Sequence, residues 1–342
     1  MDVAERSVAP VVVRPVRLAR WCRDRHGGLV RVVLGAGCPG RGGVSDGRDS
    51  MDHMIDDLSA EEWAKLLDAA EQAVREAVAA EVMPRFRQLA SHEIDVKTGP
   101  HDLVTVADRL AEERLTAALP ALLPGSVVVG EEAVSADRRV LEALEGPAPV
   151  WIVDPVDGTR QFVHGDPGFS TLVALAREGE VLASWTYAPA TDRMAVAVKG
   201  GGARLNGELL RCGAAQPGEL LEIATSHPDF TSLEEDEAFA RLVVDGVAPR
   251  PCGSAGLEYL HVAQGTLDAV AFGWENAWDH AAGLLLVAEA GGASATMSGE
   301  PFHLAGGNAL PFTAARDGRT ARRILELMRG SDLPKRKDQS GH

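Results

Sequence analysis

Long apolar runs and paired cysteines are both absent from this sequence. No apolar run approaches the ~20 residues that a membrane-spanning helix needs. The four cysteines, Cys22, Cys38, Cys212 and Cys252, form no Cys-Xaa-Xaa-Cys pair, which argues against a zinc site or a disulfide framework. We therefore expect a protein without a membrane partner that works in a reducing compartment, the cytoplasm.

Basic residues are also scarce relative to acidic ones. The chain has 34 Lys and Arg against 50 Asp and Glu, which gives a formal net charge of -16. That charge argues against nucleic acid or an anionic membrane as a partner. It is compatible with a site that gathers carboxylates around metal ions. With 342 residues and 45% hydrophobic content, the chain can bury one large core or two linked ones.

The first fifty residues differ from the rest, because they are rich in Arg and contain no Lys. Gly35, Gly37 and Gly40 spell a dinucleotide-binding pattern, but Pro39 and further glycines stand where that motif needs a helix. We reject that function here. We expect residues 1–54 to be a disordered leader, whose origin is either an upstream start or an organelle-targeting segment. The charged tail, residues 331–342, is also expected to be disordered.

The stretch from Val150 to Thr159 has the clearest chemical pattern of the chain. The β-branched and aromatic run Val150–Val153 predicts a buried strand. Pro155 and Gly158 are expected to end that strand and to force a tight turn.

Two carboxylates, Asp154 and Asp157, would then lie on a loop at the mouth of a sheet. Gly158 and Thr159 would open a helix, whose free N–H groups form an anion site. Carboxylates for a hard cation beside donors for a phosphate are the parts needed for metal-assisted phosphate hydrolysis. Taken alone, the stretch also fits an Asp-rich turn that only caps a helix.

Three further carboxylates stand at the ends of predicted elements. Asp108 lies near the start of a helix, Glu131 follows the β-branched run 127–129, and Asp279 lies at the start of an Ala- and Leu-rich helix. Each of them, taken alone, also fits a helix cap or a solvated strand end.

The predicted elements begin with helices, pass through a strand-rich middle and end in alternation. Ser59 and Glu62 form a capping box before an apolar helical pattern that reaches Phe86, with Pro84 near its end. Further strands are predicted at 170–175, 181–187, 194–198, 220–225 and 267–272, and further helices at 239–244, 257–264 and 278–290.

Four separate segments, in this order and at this spacing, resemble the inositol monophosphatase family of magnesium-dependent, lithium-sensitive phosphatases. They are Lys97 with Asp102 to Asp108, Gly130-Glu131-Glu132, Trp151 to Thr159, and Trp278 to Gly283. The resemblance covers roughly Ser59 to Arg316. It implies one phosphatase domain over residues 55–330, of the α/β (α+β) class. The implied fold is a layered αβαβα sandwich of the inositol monophosphatase and fructose-1,6-bisphosphatase type, with mixed, largely antiparallel sheets.

The resemblance also implies roles for the acidic residues. Glu131, Asp154 and the Val156 carbonyl would hold one Mg²⁺, and Asp154, Asp157 and Asp279 would hold a second. Glu131 would also help to hold a third, weaker ion, so that two or three ions serve each active site.

The remaining implied roles concern water and substrate. Asp108 and Thr159 would activate the attacking water, and Glu131 would be a further catalytic residue. The Gly158 and Thr159 amides would bind the phosphate, and Asp157 and Asp279 would also contact the substrate. The alcohol part of the substrate would meet Gly253, Ser254 and Ala255. Members of the family are often homodimers, which implies a homodimer here.

Two departures from the family pattern leave the leaving alcohol open. Phe272 stands where inositol-specific members carry a Glu that binds a ring hydroxyl, and Arg160-Gln161 replaces a common Xaa-Asn pair. The predicted substrate is a small phosphorylated alcohol, similar to inositol monophosphate. Histidinol phosphate, a sugar bisphosphate and a 3′-phosphoadenosine nucleotide are alternatives, as is a weakly active regulatory member of the fold.

Overall fold

The computed structural model describes residues 19–23, 29–33, 55, 58–97, 99, 102–214 and 218–330. In the first two of these ranges, strands β1 (Ala19–Arg23) and β2 (Leu29–Val33) form an antiparallel pair. The rest of the predicted leader, and the whole of the predicted tail at 331–342, lie outside the described residues. The domain bounds therefore stay predictions.

Two sheets form the centre of the fold, and a short antiparallel pair, β3 (Ile94–Val96) and β4 (Leu103–Thr105), lies beside them. The larger sheet has seven strands in the order β11-β10-β9-β8-β7-β6-β5. Only its β5–β6 pair is parallel. Its strands are β5 (Val127–Gly130), β6 (Val150–Asp157), β7 (Ser170–Arg177), β8 (Glu180–Ala188), β9 (Arg193–Val198), β10 (Gly202–Leu205) and β11 (Glu208–Leu209).

The smaller sheet has five strands in the order β13-β12-β14-β16-β15. Strand β12 pairs in parallel with both neighbours, whereas β16 pairs antiparallel with β14 and β15. The strands are β12 (Leu221–Thr225), β13 (Val247–Pro251), β14 (Ala269–Phe272), β15 (Ala293–Thr296) and β16 (Phe312–Ala315).

Helices cover both sheets and separate them, which gives the αβαβα layering that the resemblance implied. The pair α1–α2 packs on the larger sheet, α6–α7 lies between the sheets, and α5–α8 covers the smaller sheet. The α-helices of the described residues are α1 (Ala60–Ala77), α2 (Val106–Leu122), α3 (Glu131–Ala136), α4 (Thr159–Val163), α5 (Leu233–Ala240), α6 (Ala255–Gln264), α7 (Ala277–Glu289) and α8 (Gly318–Arg329). A π-helical turn at Val78–Val82 extends α1, and 3-10 turns lie at Ser91–Glu93, Arg138–Glu145, Pro189–Thr191 and Pro228–Phe230.

Strand β6 is buried on both faces, because the larger sheet is covered by helices on both sides. Trp151 and Val153 face the cluster formed with α1 and α2, whereas Ile152 packs with the small residues Ala281 and Ala282 of α7. A strand with two apolar faces reads as a continuous apolar run rather than as an alternation. This is why the run Val150–Val153 was recognisable as a strand.

The strand does not end where the sequence predicted. It continues through Pro155 to Asp157, with a register shift against β7 between Asp154 and Asp157. Pro cannot donate to a sheet ladder, and a bulge is one of the few places where a strand tolerates it. The two carboxylates therefore lie on a bulged strand end and not on a loop.

Helix α5 also corrects the sequence prediction, which placed a helix at 239–244. The helix begins earlier, because Ser232 and Glu235 form a capping box that the apolar run of the later residues concealed. The capping box predicted at Ser59 and Glu62 is present at the start of α1.

Helices α6 and α7 approach closely at Gly283. A Cβ atom added there would lie 2.0 Å from Cδ2 of Tyr259, whose side chain is fully buried. We expect Gly283→Ala to lower the free energy of unfolding by about 1–3 kcal/mol, because the core has no room for the added methyl group. Chemical denaturation should show the loss, whereas Gly318→Ala, where the nearest atom is 3.9 Å away, should change stability by less than about 0.5 kcal/mol. Equal stabilities of the two variants would contradict this packing argument.

Candidate active site

One cleft, with a volume of about 390 Å³, collects most of the residues that the sequence singled out. Strand β6, the start of α4, the loop before α6 and the start of α7 all border it. The predicted site residues that line it are Glu131, Asp154, Val156, Asp157, Gly158, Thr159, Gly253, Ala255 and Asp279. Asp108 and Ser254 lie behind its wall, and both are at most 3% exposed.

Three carboxylates form the acidic centre of the cleft. Asp154, Asp157 and Asp279 each offer an oxygen atom, and these atoms lie within 4.8 Å of one another. Burial raises the pKa of Asp154 well above its usual range, and the neighbouring charges of Glu131, Asp157 and Asp279 raise it further. Burial and the charges of Glu131 and Asp157 raise the pKa of Asp279 to about 8. Carboxylates this close repel each other unless protons or cations lie between them.

Asp157 is held in place by the start of helix α6. Its Oδ2 atom accepts hydrogen bonds from Ser254 Oγ at 2.5 Å, Ser170 Oγ at 2.7 Å and the Gly256 amide at 2.8 Å. Its Oδ1 atom accepts one from the Ala255 amide at 3.0 Å. The orientation of this carboxylate is therefore fixed from behind, and Oδ1 has the larger capacity left for a further partner.

Asp279 is positioned by two side chains that precede it. Its Oδ2 atom accepts hydrogen bonds from Trp274 Nε1 at 2.8 Å and Asn276 Nδ2 at 3.1 Å. The Trp274 carbonyl in turn accepts from His280 Nε2 at 3.0 Å, and Tyr259 Oη lies 3.0 Å from His280 Nδ1. Burial lowers the pKa of His280 to about 3, so the ring is neutral. Because a carbonyl only accepts, Nε2 carries the proton and the Tyr259 hydroxyl donates to Nδ1.

This buried network predicts a stability effect for Tyr259→Phe. The substitution removes the donor and leaves His280 Nδ1 without a partner at a fully buried position. We expect a loss of about 1–3 kcal/mol in the free energy of unfolding, the usual cost of an unsatisfied buried acceptor. Chemical denaturation measures it, with Tyr187→Phe as the control, because the Asp192 carboxylate that accepts from the Tyr187 hydroxyl is exposed and can bond to water instead. If Tyr259→Phe were as stable as the wild type, the inferred tautomer of His280 would be wrong.

Glu131 faces the cleft but is held by a lysine. Lys97 Nζ lies 2.8 Å from Glu131 Oε1 and 2.6 Å from Glu132 Oε1, and Lys97 is mostly buried. The two carboxylates raise the pKa of Lys97 against the opposing effect of burial. Glu131 is therefore near the acidic centre without being part of the three-carboxylate cluster.

A buried acid, Glu112, fixes the helix start that carries Glu131. Its two oxygen atoms accept from the amides of Glu132 and Ala133, both at 2.8 Å. A Cβ atom at Gly130 would lie 2.3 Å from Cδ of Glu112. Only glycine leaves room for this carboxylate at that place, and the carboxylate satisfies two of the free amides at the start of α3.

The side chains of Asp108 and Thr159 face each other. Thr159 Oγ1 lies 3.3 Å from Asp108 Oδ1 and 3.0 Å from the Val156 carbonyl oxygen. Asp108 Oδ2 accepts from both the amide and the hydroxyl of Thr105, at 2.8 and 2.5 Å, which closes the capping box of α2. Burial and the charge of Glu131 together raise the pKa of Asp108 to about 7, against the hydrogen bonds from Thr105, which lower it.

The turn after β6 depends on glycine. Gly158 has a φ of 89°, in the left-handed region, and a Cβ atom there would lie 3.1 Å from Ser254 Cβ and 3.2 Å from the Gly168 carbonyl oxygen. This conformation starts α4, so that Gly158 and Thr159 line the cleft beside the carboxylates.

Phe272 and Ser254, which the resemblance connects with the alcohol part of the substrate, do not face the cleft. Phe272 is fully buried in an aromatic cluster, with its ring 4.5 Å from that of Trp274, so it cannot contact a substrate. Ser254 is 3% exposed, and its hydroxyl is used on Asp157 and at the start of α6. Trp274, Asn276, His227 and Phe230 line the cleft, whereas Phe272 and Ser254 do not.

Sequence comparison gives the family. The profile described as the inositol monophosphatase family matches residues 62–331. The chain belongs to the inositol monophosphatase family. It is 39% identical over 220 residues to an inositol-1-monophosphatase of Rhizobium meliloti, a match that covers 63% of this chain and 79% of that protein. It is 33% identical over 244 residues to the Nus factor SuhB of Pseudomonas aeruginosa, which covers 67% of this chain and 86% of that protein.

Solved structures of the family share the fold. An inositol monophosphatase of Thermotoga maritima superposes with a TM-score of 0.62 at 28% identity, over 79% of this chain and 96% of that chain. The extragenic suppressor protein SuhB of Bartonella henselae gives a TM-score of 0.61 at 26% identity, over 78% of this chain and 97% of that chain. The predicted fold class is thereby confirmed. As a member of the inositol monophosphatase family, the protein is a phosphatase, a hydrolase that acts on phosphoric monoesters.

Several residues that shape this phosphatase site carried no functional prediction. Thr105 could have been found, because Thr105 and Asp108 have the spacing of a capping box. Ser170, Glu112 and Trp274 gave no local signal. They reach the site only through strand pairing, helix packing and the chain direction before α7.

Proposed function

We propose that the protein is a Mg²⁺-dependent phosphomonoesterase that hydrolyses a small phosphorylated alcohol through attack by water. The observation that carries the proposal is the buried carboxylate cluster of Asp154, Asp157 and Asp279 beside the Asp108–Thr159 pair. The carboxylate cluster suits the binding of cations, and the adjacent Asp108–Thr159 pair suits the transfer of a proton.

The donor set fits magnesium. Hard Mg²⁺ prefers oxygen ligands, and the cluster offers carboxylates whose pKa values are raised by burial and by their own crowding. Asp154, Asp157 and Asp279 would hold one ion. Asp154, Glu131 and the Val156 carbonyl would hold another, with Lys97 as the competing partner of Glu131. Bound Mg²⁺ lowers the pKa of a coordinated water and neutralises charge on the phosphate.

The chain's own groups would supply the remaining steps. Asp108, fixed by Thr105, would take the hydroxyl proton of Thr159 while that hydroxyl accepts from the attacking water. The Thr159 hydroxyl has two acceptors within reach, Asp108 Oδ1 and the Val156 carbonyl, and of these Asp108 is the one that can take up a proton. The amides of Gly158 and Thr159, at the start of α4, would hold the phosphate.

One relative in the comparison is named a Nus factor, which bears on the regulatory alternative. A protein that only binds a partner has no need of the Asp108–Thr159 hydrogen bond or of three crowded carboxylates. The energetic cost of that crowding favours an active enzyme. The homodimer and the cytoplasmic location stay predictions.

The test is a phosphate-release assay of the full chain over inositol 1-phosphate, histidinol phosphate, fructose 1,6-bisphosphate and adenosine 3′,5′-bisphosphate. We expect release from at least one substrate with Mg²⁺, none with a chelator, and inhibition by Li⁺. Release that persists unchanged in the chelator would contradict the proposed metal dependence. No release from any ester, together with no binding of Mg²⁺ by calorimetry, would favour the regulatory alternative.

A further inference from the structure

The lining of the cleft includes several aromatic rings besides its polar groups. Trp274, His227 and Phe230 line the cleft, whereas Phe272, at the position of the family's ring-binding Glu, is buried behind Trp274. We propose that the substrate is a phosphomonoester whose alcohol part carries a planar ring, and that Trp274 and Phe230 bind this ring. The inference rests on the proposed phosphatase function and names the substrate class for it.

Trp274 is held rigidly as part of the cleft wall. Its Nε1 atom donates to Asp279, its ring packs on Phe272 at a centroid distance of 4.5 Å, and its carbonyl accepts from His280. These three contacts fix the indole ring and its backbone without help from a ligand. A binding surface that is ordered beforehand loses little entropy when a ligand packs on it.

Phe230 lies at the mouth of the same cleft and is 51% exposed. Its backbone amide donates to the His227 carbonyl at 2.9 Å, and its ring lies 6.2 Å from the His227 ring in an edge-to-face pair. A large aromatic side chain with half of its surface in water gains most from a ligand that covers it. The aromatic side chains at the mouth of the cleft therefore favour a planar apolar or heteroaromatic group over a polyol.

The charged groups at the mouth of the cleft argue against a second phosphate on the substrate. Arg160 is the cleft's arginine, and its Nη1 atom lies 2.7 Å from Asp229 Oδ2. His227 Nδ1 also lies within 3.4 Å of the same carboxylate oxygen. Because Arg160 is already neutralised, a bisphosphate would have to displace Asp229. A substrate with a single phosphate, bound at Gly158 and Thr159, agrees better with a cleft whose arginine is already paired.

The test compares esters that differ in the planarity of the alcohol. Benzyl phosphate and cyclohexylmethyl phosphate have similar size and leaving-group chemistry, so their ratio reports ring binding rather than chemistry. We expect kcat/KM with Mg²⁺ to be at least about tenfold higher for benzyl phosphate than for cyclohexylmethyl phosphate, inositol 1-phosphate or fructose 1,6-bisphosphate, as stacking in a preformed site suggests.

Variants then test which residue is responsible. Phe230→Ala should lower the benzyl-to-cyclohexylmethyl ratio by about five- to tenfold, whereas Phe230→Tyr, which keeps the ring, should retain most of it. Leu233→Ala is the matched control, because Leu233 is an 85% exposed apolar residue on α5 that does not line the cleft. It should leave the ratio unchanged.

The outcomes separate this inference from the function on which it rests. Efficient turnover of inositol 1-phosphate or fructose 1,6-bisphosphate with poor turnover of benzyl phosphate would overturn the ring inference and leave the phosphatase function intact. A ratio unaffected by Phe230→Ala would also overturn it. If no ester is hydrolysed, the phosphatase proposal fails. Calorimetry with benzylphosphonate and cyclohexylmethylphosphonate would then still decide whether the cleft prefers a ring.

Discussion

Replacing Asp154 with Asn is expected to abolish phosphate release, with a fall in kcat/KM of at least about a thousandfold. Asp154 is the carboxylate that the proposal places between both ions, and it is 1% exposed at the centre of the acidic cluster. The Asn side chain can still accept the Val156 amide hydrogen bond at 3.1 Å that Oδ1 of Asp154 accepts. The loss would therefore reflect the missing charge rather than a collapsed turn.

The same substitution should have the opposite effect on the stability of the metal-free protein. The pKa of Asp154 is higher in the folded protein than in the unfolded chain. Ionised Asp154 therefore destabilises the fold, and this cost is absent below the pKa of the unfolded chain and grows as the pH rises toward the pKa of the folded protein. Asn removes this penalty. We expect the metal-free variant to match or exceed the wild-type Tm near pH 7, and to lose the increase in Tm that Mg²⁺ gives the wild type.

Both effects have a direct measurement and a matched control. Thermal unfolding with and without Mg²⁺ at pH 5 and pH 7, together with a phosphate-release assay, measures them. Asp68→Asn, an exposed position on α1, should leave activity and the Mg²⁺ shift as in the wild type. If Asp154→Asn kept wild-type turnover, the proposed metal site would be wrong.

The sequence predicted the fold well wherever one local pattern had only one structural solution. The apolar run of β6, the capping box at Ser59 and the glycine turn at Gly158 are of this kind, and the structure has each of them. The end of β6 was predicted wrongly, because a proline normally stops a strand and a bulge depends on the neighbouring strand β7. Local propensity contains no information about that neighbour.

The candidate site also has a part that the sequence predicted and a part that it did not. The acidic residues that line the cleft were assigned through the family resemblance, because each of their motifs, taken alone, also fits a helix cap or a solvated strand end. The residues that hold these acidic side chains in place have no such motif. Ser170 reaches Asp157 from the adjacent strand, and Glu112 reaches the start of α3 from another helix. Phe272 shows the limit most clearly, because only the packed structure reveals that this side chain turns into the core and that Trp274 takes its place at the cleft.

Thr159→Ala is the second substitution with a large expected effect. In the proposed mechanism the Thr159 hydroxyl links Asp108 to the attacking water, and general-base assistance of this kind contributes about 10²–10⁴-fold to a rate. We expect kcat to fall by about that factor, while the affinity for Mg²⁺ measured by calorimetry changes by less than about tenfold. Thr159→Ser keeps the hydroxyl and should recover most of the lost rate.

Asp108→Asn tests the same link from its other end. The Asn carbonyl oxygen can keep the hydrogen bond from the Thr105 amide, which places the NH₂ group toward Thr159. The hydroxyl would then accept a hydrogen bond where the mechanism needs it to donate one, with almost no change in shape. We expect a loss of rate similar to that of Thr159→Ala.

The double variant decides whether the two residues act as one unit. If Asp108 works only through Thr159, combining Thr159→Ala with Asp108→Asn should cost no more in kcat than either change alone. Losses that multiply would mean that Asp108 and Thr159 act separately. The wild-type pH profile gives an independent check. Because burial raises the pKa of Asp108 to about 7 and bound cations would lower it, activity should decline on the acid side at or below about pH 7.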